Sequence, residues 1–222
     1  MDKPGHWENA VGVLVIAAGL GQRFTEAGGT TDKLQATFTD ASGQRKSVFV
    51  HSCQAAQQSG LPVCVVTRPT QRAIRDYCEQ HAIPTVLVEN TRMGESIAAG
   101  VRHTARWGGW LIHLADMPFI SAQTLRLVAS KVTAEGVVRP VFRASPGHPV
   151  GFGRCAFNAL SALTDEQGAR SLLMQFPLYM IELQDASILQ DIDLPSQLPV
   201  AESPAIAERP RQASEPGKDP PD

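Results

Sequence analysis

The residues best suited to chemistry lie near the start of the chain, where small residues follow an apolar run and two cations follow the small residues. The apolar run covers Val13 to Ile16, and after it come Ala17, Ala18, Gly19, Leu20, Gly21, Arg23 and Lys33. A turn of small residues after a strand exposes backbone N–H groups that no side chain shields, and such groups bind phosphate oxygens. The two cations add the charge that a phosphate chain requires. The pattern therefore predicts a site for a nucleoside diphosphate or triphosphate.

Two other glycine-rich motifs fit this segment poorly. The dinucleotide-binding motif requires a third glycine where Phe24 stands, and the P-loop requires Ser or Thr after its lysine, whereas Leu34 follows Lys33. On this segment alone, a tight turn without a ligand remains the alternative.

Two acidic positions are candidate ligands for Mg²⁺. Asp116 ends an apolar run and precedes Pro118, which places its carboxylate at the end of a predicted strand. The alternative is that Asp116 caps the next helix, but Ser121 is better placed for that role. Asp191 and Asp193 point the same way in an extended segment, so Asp193 would share the metal if this segment returns to the glycine loop. A distant acidic turn is the other possibility.

Two further segments are candidates for substrate contact. Met93, Gly94, Glu95 and Ser96 precede an apolar-periodic helix, and we expect them to contact a base or ribose, although plain helix capping explains the same residues. His148 lies in a constrained Pro-Gly-His-Pro turn and is a candidate for contact with a phosphate or with the second substrate; a structural histidine is the alternative. The histidines at positions 51, 81, 103 and 113 are interpreted as structural.

Composition narrows the class of protein. The chain has 222 residues and a formal net charge of −2, which suits one α/β domain and offers no basic surface for nucleic acid. The four cysteines are far apart, with neither zinc-site nor disulfide spacing. The start of the chain has no signal-peptide pattern, and no apolar run approaches the ~20 residues of a membrane span. We expect a soluble, cytoplasmic protein with reduced thiols.

Short apolar runs alternate with amphipathic stretches, which predicts a mostly parallel sheet with helices on both faces. Strands are predicted at 12–17, 63–67, 85–89, 110–115, 137–142 and 179–183, and helices at 47–59, 70–81, 95–104, 122–132, 154–163 and 167–175. In such sheets the loops at the carboxyl ends of the strands carry the ligand site. One domain is predicted for residues 1–198, and a disordered Pro-rich tail for residues 199–222.

Several segments together resemble the molybdenum cofactor nucleotidyltransferases, most of all the cytidylyltransferase branch of the MobA-like NTP transferases. They are the glycine loop with Lys33, Met93–Ser96, Leu114–Pro118, Gly147–Phe152, Asp165–Arg170 and Asp191–Pro195. The resemblance runs from residue 12 to about 198 and implies a three-layer α/β/α, Rossmann-like nucleotidyltransferase fold.

The resemblance also implies a reaction. The terminal phosphate of molybdopterin attacks the α-phosphorus of CTP, pyrophosphate leaves, and a molybdoenzyme is the expected recipient of the product. By this analogy Arg23 and Lys33 neutralise the triphosphate, residues 17–21 surround it, and Asp116 and Asp193 hold Mg²⁺.

The choice of base and of acceptor also depends on this resemblance. The guanylyl-transferring branch usually carries two glycines where this chain has Ala18 and Gly19, and the added methyl takes space that a purine would use, so CTP is favoured over GTP. Two features depart from the family pattern: Phe24 stands where methionine is usual, and residues 25–32 delay Lys33. A sugar phosphate acceptor, a guanylyltransferase and a non-catalytic cofactor carrier are the alternatives.

Overall fold

Ten strands and six α-helices make up the part of the chain that the computed structural model describes, residues 8–89 and 92–199. The strands are β1 Val11–Ala17, β2 Thr37–Thr39, β3 Arg45–Ser47, β4 Val63–Thr67, β5 Thr85–Leu87, β6 Gly109–Leu114, β7 Val137–Phe142, β8 Ser145–Pro146, β9 Val150–Gly153 and β10 Leu178–Glu182. The helices are α1 Gln22–Glu26, α2 Val48–Gln58, α3 Arg72–Gln80, α4 Met93–His103, α5 Ala122–Ala129 and α6 Phe157–Ser161. Short 3-10 helices cover Lys33–Gln35, Arg154–Ala156, Gly168–Met174, Ala186–Leu189 and Pro195–Gln197.

The main sheet has eight strands in the order β10-β7-β9-β6-β1-β4-β5, with β8 paired to β7. Strand β1 pairs in parallel with β4 and β6 on its two sides, while β9 runs antiparallel between β6 and β7. The sheet is therefore mixed but mostly parallel, as the alternation of strands and helices predicts. Strands β2 and β3 form a separate antiparallel hairpin.

The two faces of the sheet build two hydrophobic clusters. Along β1, Val13 and Val15 point into the cluster that Phe49, Ile74 and Leu125 of helices α2, α3 and α5 complete. The alternate residues, Leu14 and Ile16, point into the opposite cluster with Ile97 of α4 and Leu160 of α6. Because side chains alternate along a strand, a buried central strand must be apolar on both faces. The expected α/β architecture, with helices on both faces of the sheet, is confirmed.

Serine residues start two of the helices. The Ser47 hydroxyl accepts a hydrogen bond from the N–H of Val50 at the start of α2, and the Ser121 hydroxyl accepts one from Thr124 at the start of α5. Ser121, rather than Asp116, is therefore the cap of α5.

Several segments differ from the sequence-based prediction, and the helix α1 and the strands β8 and β9 were not predicted. The helix predicted at 167–175 is a 3-10 helix, Gly168–Met174, in which only Gly168 and Leu172 are buried. Such a segment lacks the wide apolar face that stabilises an α-helix by packing. The helix predicted at 154–163 is a 3-10 turn followed by the short α6, and the β2–β3 hairpin was not predicted.

Three further predictions concern the cysteines, a membrane span and the C-terminal tail. All four cysteines are free thiols, three of them buried. No helix in residues 8–89 and 92–199 is long and apolar enough to cross a membrane. The predicted tail, apart from Pro199, lies outside the described residues, so its disorder stays a prediction.

Candidate active site

Four side chains that are far apart in the sequence meet at the carboxyl ends of β1 and β6. The ammonium of Lys33 donates a hydrogen bond to Asp116 Oδ2 at 2.6 Å and another to Asp193 Oδ1 at 2.9 Å. The guanidinium of Arg23 donates to the other oxygen of Asp193, Oδ2, at 3.1 Å. The structure thus brings together the four charged residues that the sequence singled out.

Backbone hydrogen bonds place the two carboxylates. The N–H of Ala115 donates to Ile16 O at 3.1 Å, which ties the end of β6 to the end of β1 and sets Asp116 beside the glycine loop. The N–H of Ile192 donates to Asp116 O at 2.9 Å, which returns the acidic segment to the same edge of the sheet. Asp193 is therefore next to Asp116 rather than in a distant turn.

Lys33 is positioned by residues that sequence reasoning did not identify. Asp32 Oδ1 accepts the N–H of Leu34 at 2.9 Å, and Asp32 Oδ2 accepts from Gln71 Nε2 at 2.9 Å. Arg68, the first residue after β4, lies 3.7 Å from the same carboxylate and donates to Gly19 O at 3.4 Å. Contacts of Asp32 with Arg68 and Gln71 therefore hold the long segment before Lys33 against the residues that follow β4. The sequence does give one indication of this role, since Arg68 directly follows a predicted strand and so lies at its carboxyl end.

The glycine loop has one closed and one open position. Gly21 has φ +63, and a Cβ there would lie 3.0 Å from the Cβ of Lys33. A Cβ at Gly19 would have no protein atom within 4 Å. Gly21 is thus required by backbone conformation, whereas the space at Gly19 is open to a ligand.

The side chains of Ala17 and Ala18 are buried, so the predicted contact of these two residues with the nucleotide would involve their backbone. Both are 1% exposed, and Ala18 packs in the cluster on the α4 face of the sheet. The Ala18 methyl does not face open space, so the steric reason for excluding a purine base is corrected: this methyl occupies core volume rather than ligand volume.

The charges at the site shift one another's proton affinity. Burial alone would lower the pKa of Lys33, but the carboxylates of Asp116 and Asp193 outweigh it, and the pKa of Lys33 is raised. For Asp193, burial would raise the pKa, but Lys33 and Arg23 hold it below its usual value. Burial, and then Asp193 and Asp116, raise the pKa of Asp191. The opposite charges therefore favour the charged forms of Lys33 and Asp193.

A divalent metal fits Asp116, judged by its donor atoms, whereas both oxygens of Asp193 accept hydrogen bonds from Arg23 and Lys33. Asp116 Oδ1 is buried and has no hydrogen-bond partner, while its other oxygen contacts Lys33. In residues 8–89 and 92–199 no group of three or more His, Cys, Asp or Glu side chains is arranged to hold a metal ion. A metal at Asp116 would thus need further oxygen ligands from outside the protein, as phosphate groups supply for Mg²⁺.

A cavity of about 470 Å³ adjoins these residues, and we call it the loop cavity. Its lining includes Gly21, Arg23, Lys33, Asp193, Arg92 and Met93. Its volume falls in the range of small-molecule sites, and it is lined by three of the charged residues described above.

The Met93–Ser96 segment reaches the cavity through its first residue only. Gly94 packs against Asp165, where a Cβ would lie 2.7 Å from Asp165 O, and its N–H donates to that oxygen at 2.9 Å. Ser96 is buried, and its hydroxyl donates to Arg92 O at 3.1 Å. Gly94 and Ser96, predicted to contact the nucleotide, therefore satisfy packing and hydrogen bonding inside the protein, and Met93 lines the cavity.

His148 lines a second cavity, of about 440 Å³, and is close enough to Asp116 for that charge to act on it. Burial, and next the charge of Arg139, lower the pKa of His148 to about 4, although Asp116 acts in the opposite direction. Its Nδ1 is buried without a hydrogen-bond partner. His113, interpreted as structural, is fully buried and lies 2.7 Å from the Ser52 hydroxyl. At neutral pH His148 is thus an uncharged imidazole with an unused ring nitrogen.

The fold and the site together define an α/β nucleotidyltransferase architecture, with a small-residue loop, two cations and two carboxylates at the carboxyl edge of a mostly parallel sheet. A profile of the MobA-like NTP transferase domain matches residues 13–179. The chain belongs to this family.

Solved structures of low sequence identity share the fold. A nucleotidyl transferase from Methanothermobacter thermautotroptrophicus (Mth528) superposes with a TM-score of 0.72 at 20% identity, over 85% of this chain and 94% of that one. Rv0371c from Mycobacterium tuberculosis H37Rv gives 0.71 at 22% identity, over 85% and 95%. A complex of Rv0371c with manganese gives 0.63 at 20%, over 79% and 89%. No curated protein sequence matches the chain significantly.

Proposed function

We propose that the protein is a Mg²⁺-dependent cytidylyltransferase that transfers CMP from CTP to the phosphate of molybdopterin and releases pyrophosphate. The observation that carries the nucleotidyl-transfer part is the cluster of Lys33, Arg23, Asp116 and Asp193 at an open glycine loop. The sequence resemblance described above supports the acceptor and the base.

In this proposal the glycine loop and the cations bind the triphosphate. The open side of Gly19 admits phosphate oxygens to the backbone N–H groups, which a larger residue would shield. Arg23 and Lys33 both line the loop cavity, and Arg23 is exposed while Lys33 is mostly buried. Both neutralise charge on the triphosphate and on the leaving pyrophosphate, so the transfer is accelerated by positioning and electrostatics, without a covalent enzyme intermediate.

Asp116 and Asp193 are the proposed metal ligands. A bound divalent ion would neutralise phosphate charge in the transfer. The unpartnered Asp116 Oδ1 supports this assignment, as does the complex of the structurally similar Rv0371c with manganese. Lys33, which contacts both carboxylates, keeps their charge balanced within the protein.

The preference for CTP is the least direct part of the proposal. It depends on Ala18 standing where the guanylyl-transferring relatives usually carry glycine, and the methyl is packed in the core. Any effect on the base must then act through the shape of the loop backbone rather than through contact with the methyl. The further proposals are a molybdoenzyme as recipient of the product and a cytoplasmic location.

The deciding experiment measures pyrophosphate release by the purified full chain with Mg²⁺ and molybdopterin, comparing CTP, GTP and ATP. We expect release with CTP alone. Release with GTP instead identifies a guanylyltransferase, and release only when a sugar phosphate replaces molybdopterin identifies another acceptor. Binding of CTP with no release under any of these conditions contradicts an enzyme and favours a cofactor carrier.

A further inference from the structure

A second cavity, of about 440 Å³, adjoins the loop cavity, and we call it the distal cavity. Met93 and Glu166 line both cavities, so their contents would be neighbours. The apolar part of its wall comes from β6, β9 and α4, and includes Ile112, Phe152 and Ile97. The distal cavity therefore offers an apolar surface next to the place where a triphosphate would lie.

The polar part of the wall holds two arginines and one acidic residue, Glu166. Arg139 of β7 and Arg170 of the 168–174 helix both line the cavity. They are close enough to disfavour each other's charge, because burial and next the charge of Arg170 lower the pKa of Arg139. Like charges that face one cavity raise the free energy of the empty site unless an anion joins them.

Neither guanidinium has an acidic partner in the part of the chain that the structure describes. No carboxylate oxygen of residues 8–89 and 92–199 lies within 4.0 Å of either one. Arg139 donates instead to the backbone oxygens of Gly147 at 3.2 Å and Pro146 at 3.4 Å. Glu166 lines the same cavity but is unpaired with both. These contacts hold Arg139 in place and leave its positive charge uncompensated.

The structure assigns the distal cavity to the acceptor, and Arg139 and Arg170 to an anionic group on it. Guanidinium groups are suited to this task because they bind phosphate and other oxyanions through paired N–H donors. The ligand class is an organic anion with an apolar or planar body, in the size range of sites with 300–1,000 Å³. The buried, unpartnered Nδ1 of His148 provides a further polar contact on the side nearest Asp116. The assignment rests on the proposed function in one respect, namely that it identifies the bound anion as the acceptor of that reaction.

Binding of a probe tests the cavity independently of catalysis. The probe is 8-anilinonaphthalene-1-sulfonate, which has an apolar body and one anionic group, and its uncharged counterpart is N-phenyl-1-naphthylamine. Fluorescence titration of the full chain should give a Kd for the sulfonate that rises about tenfold in Arg170→Gln and in Arg139→Gln, as expected when a charge-assisted contact is lost. The Kd of the uncharged probe should stay the same in all variants.

The two variants differ in how strongly they could disturb the fold, so one of them can decide the question if the other does not fold. Arg139 supports the turn before His148 through its two backbone contacts, whereas Arg170 is exposed and has no such contacts among the residues described. If Arg139→Gln fails to fold, Arg170→Gln still decides the question. The matched control is Arg72→Gln, which removes an exposed arginine on α3. Equal Kd values for the sulfonate in Arg170→Gln and in the Arg72→Gln control would overturn the inference.

Turnover separates the inference from the proposed function. With CTP and molybdopterin, Arg170→Gln should raise the KM for molybdopterin about tenfold and leave the KM for CTP unchanged. Weakened sulfonate binding in a protein that releases no pyrophosphate would support the cavity assignment and contradict the proposed function. Pyrophosphate release with an unchanged KM for the acceptor would support the proposed function and contradict the cavity assignment.

Discussion

The loop cavity and the distal cavity differ in whether their cationic side chains are paired with carboxylates. In the loop cavity, Lys33 and Arg23 contact Asp116 or Asp193 at 3.1 Å or less. In the distal cavity, Arg139 and Arg170 have no carboxylate within 4.0 Å among the residues described. A ligand of the loop cavity must compete with contacts inside the protein, whereas an anion in the distal cavity would provide the missing partner.

This difference predicts two kinds of mutational effect. Substitutions in the loop cavity should change the reaction rate, the stability of the fold, or both, since the same side chains pair with each other and act on the substrate. Substitution of Arg170 in the distal cavity should change the affinity for one ligand and leave the fold nearly unaffected, whereas Arg139 also supports the turn before His148. Within the loop cavity, we expect the largest effect at Asp116 and the smallest at the glycine loop.

Asp116→Asn should give the largest loss. The amide keeps the size of the side chain and removes the charge that the proposed metal requires, so turnover should fall by about 100-fold or more. Pyrophosphate release at saturating Mg²⁺ measures this. Asp76→Asn on the exposed surface of α3 is the matched control and should retain full activity. Full turnover in Asp116→Asn would remove Asp116 from the reaction.

Lys33→Met should reveal the cost of separating the internal ion pairs. The Lys33 side chain is only 12% exposed, and loss of its ammonium leaves Asp116 and Asp193 without their shared cation. The free energy of unfolding at pH 7 should fall by about 1–3 kcal/mol, as for a partly buried charge left unpaired. Urea denaturation gives the value. The control is Lys46→Met, whose ammonium lies 3.9 Å from Asp40 at the surface and whose loss should cost about 0.5 kcal/mol or less.

The same variant has an expected pH dependence. Lys33 and Arg23 hold the pKa of Asp193 below its usual value in the folded protein. The stability from this pairing is therefore present above about pH 4 and is lost as the pH falls through the lowered pKa of Asp193. The difference between the wild type and Lys33→Met should shrink when denaturation is repeated at about pH 3. A difference that stayed constant would show that packing of the lysine stem, not charge, stabilises this site.

Gly19→Ala and Gly21→Ala form a pair with the smallest expected effects. Gly21→Ala should cost about 1–2 kcal/mol of stability, because φ is +63 and the new methyl would press on Lys33. Gly19→Ala should leave stability within about 0.5 kcal/mol, since its methyl meets no protein atom within 4 Å. Its effect should appear as weaker CTP binding, measured by calorimetry. Unchanged CTP affinity in Gly19→Ala would mean that the triphosphate lies elsewhere.

Much of the fold could be predicted from the chain because burial leaves a local signal. The strands at 63–67 and 137–142 lie where the apolar runs predict them, and the ends of α2 and α4 differ from the prediction by one or two residues. The β2–β3 hairpin could not be found this way. Of its strand residues only Phe38 is buried, so the hairpin has almost no apolar pattern.

The site was predictable in its residue types but not in its assembly. Lys33, Asp116 and Asp193 each stand out beside an apolar run or a glycine segment, but their meeting depends on a hydrogen bond between Ile192 and Asp116, which no local pattern encodes. Gly94 illustrates the reverse case. A glycine at a helix start has the same appearance whether a ligand or another part of the backbone approaches it, and here Asp165 does.

The position of Asp193 after the last strand determines when the cluster is completed during synthesis. The ribosome adds the last strand of the sheet, β10, before it reaches Asp193, so a nascent chain gains every described strand before it gains its second carboxylate. A protease that removed the residues after Glu182 would take away Asp193, the partner of Arg23, together with the buried Ile188 and Ile192. Only a chain synthesised through Asp193 and unclipped there has the full set of charges.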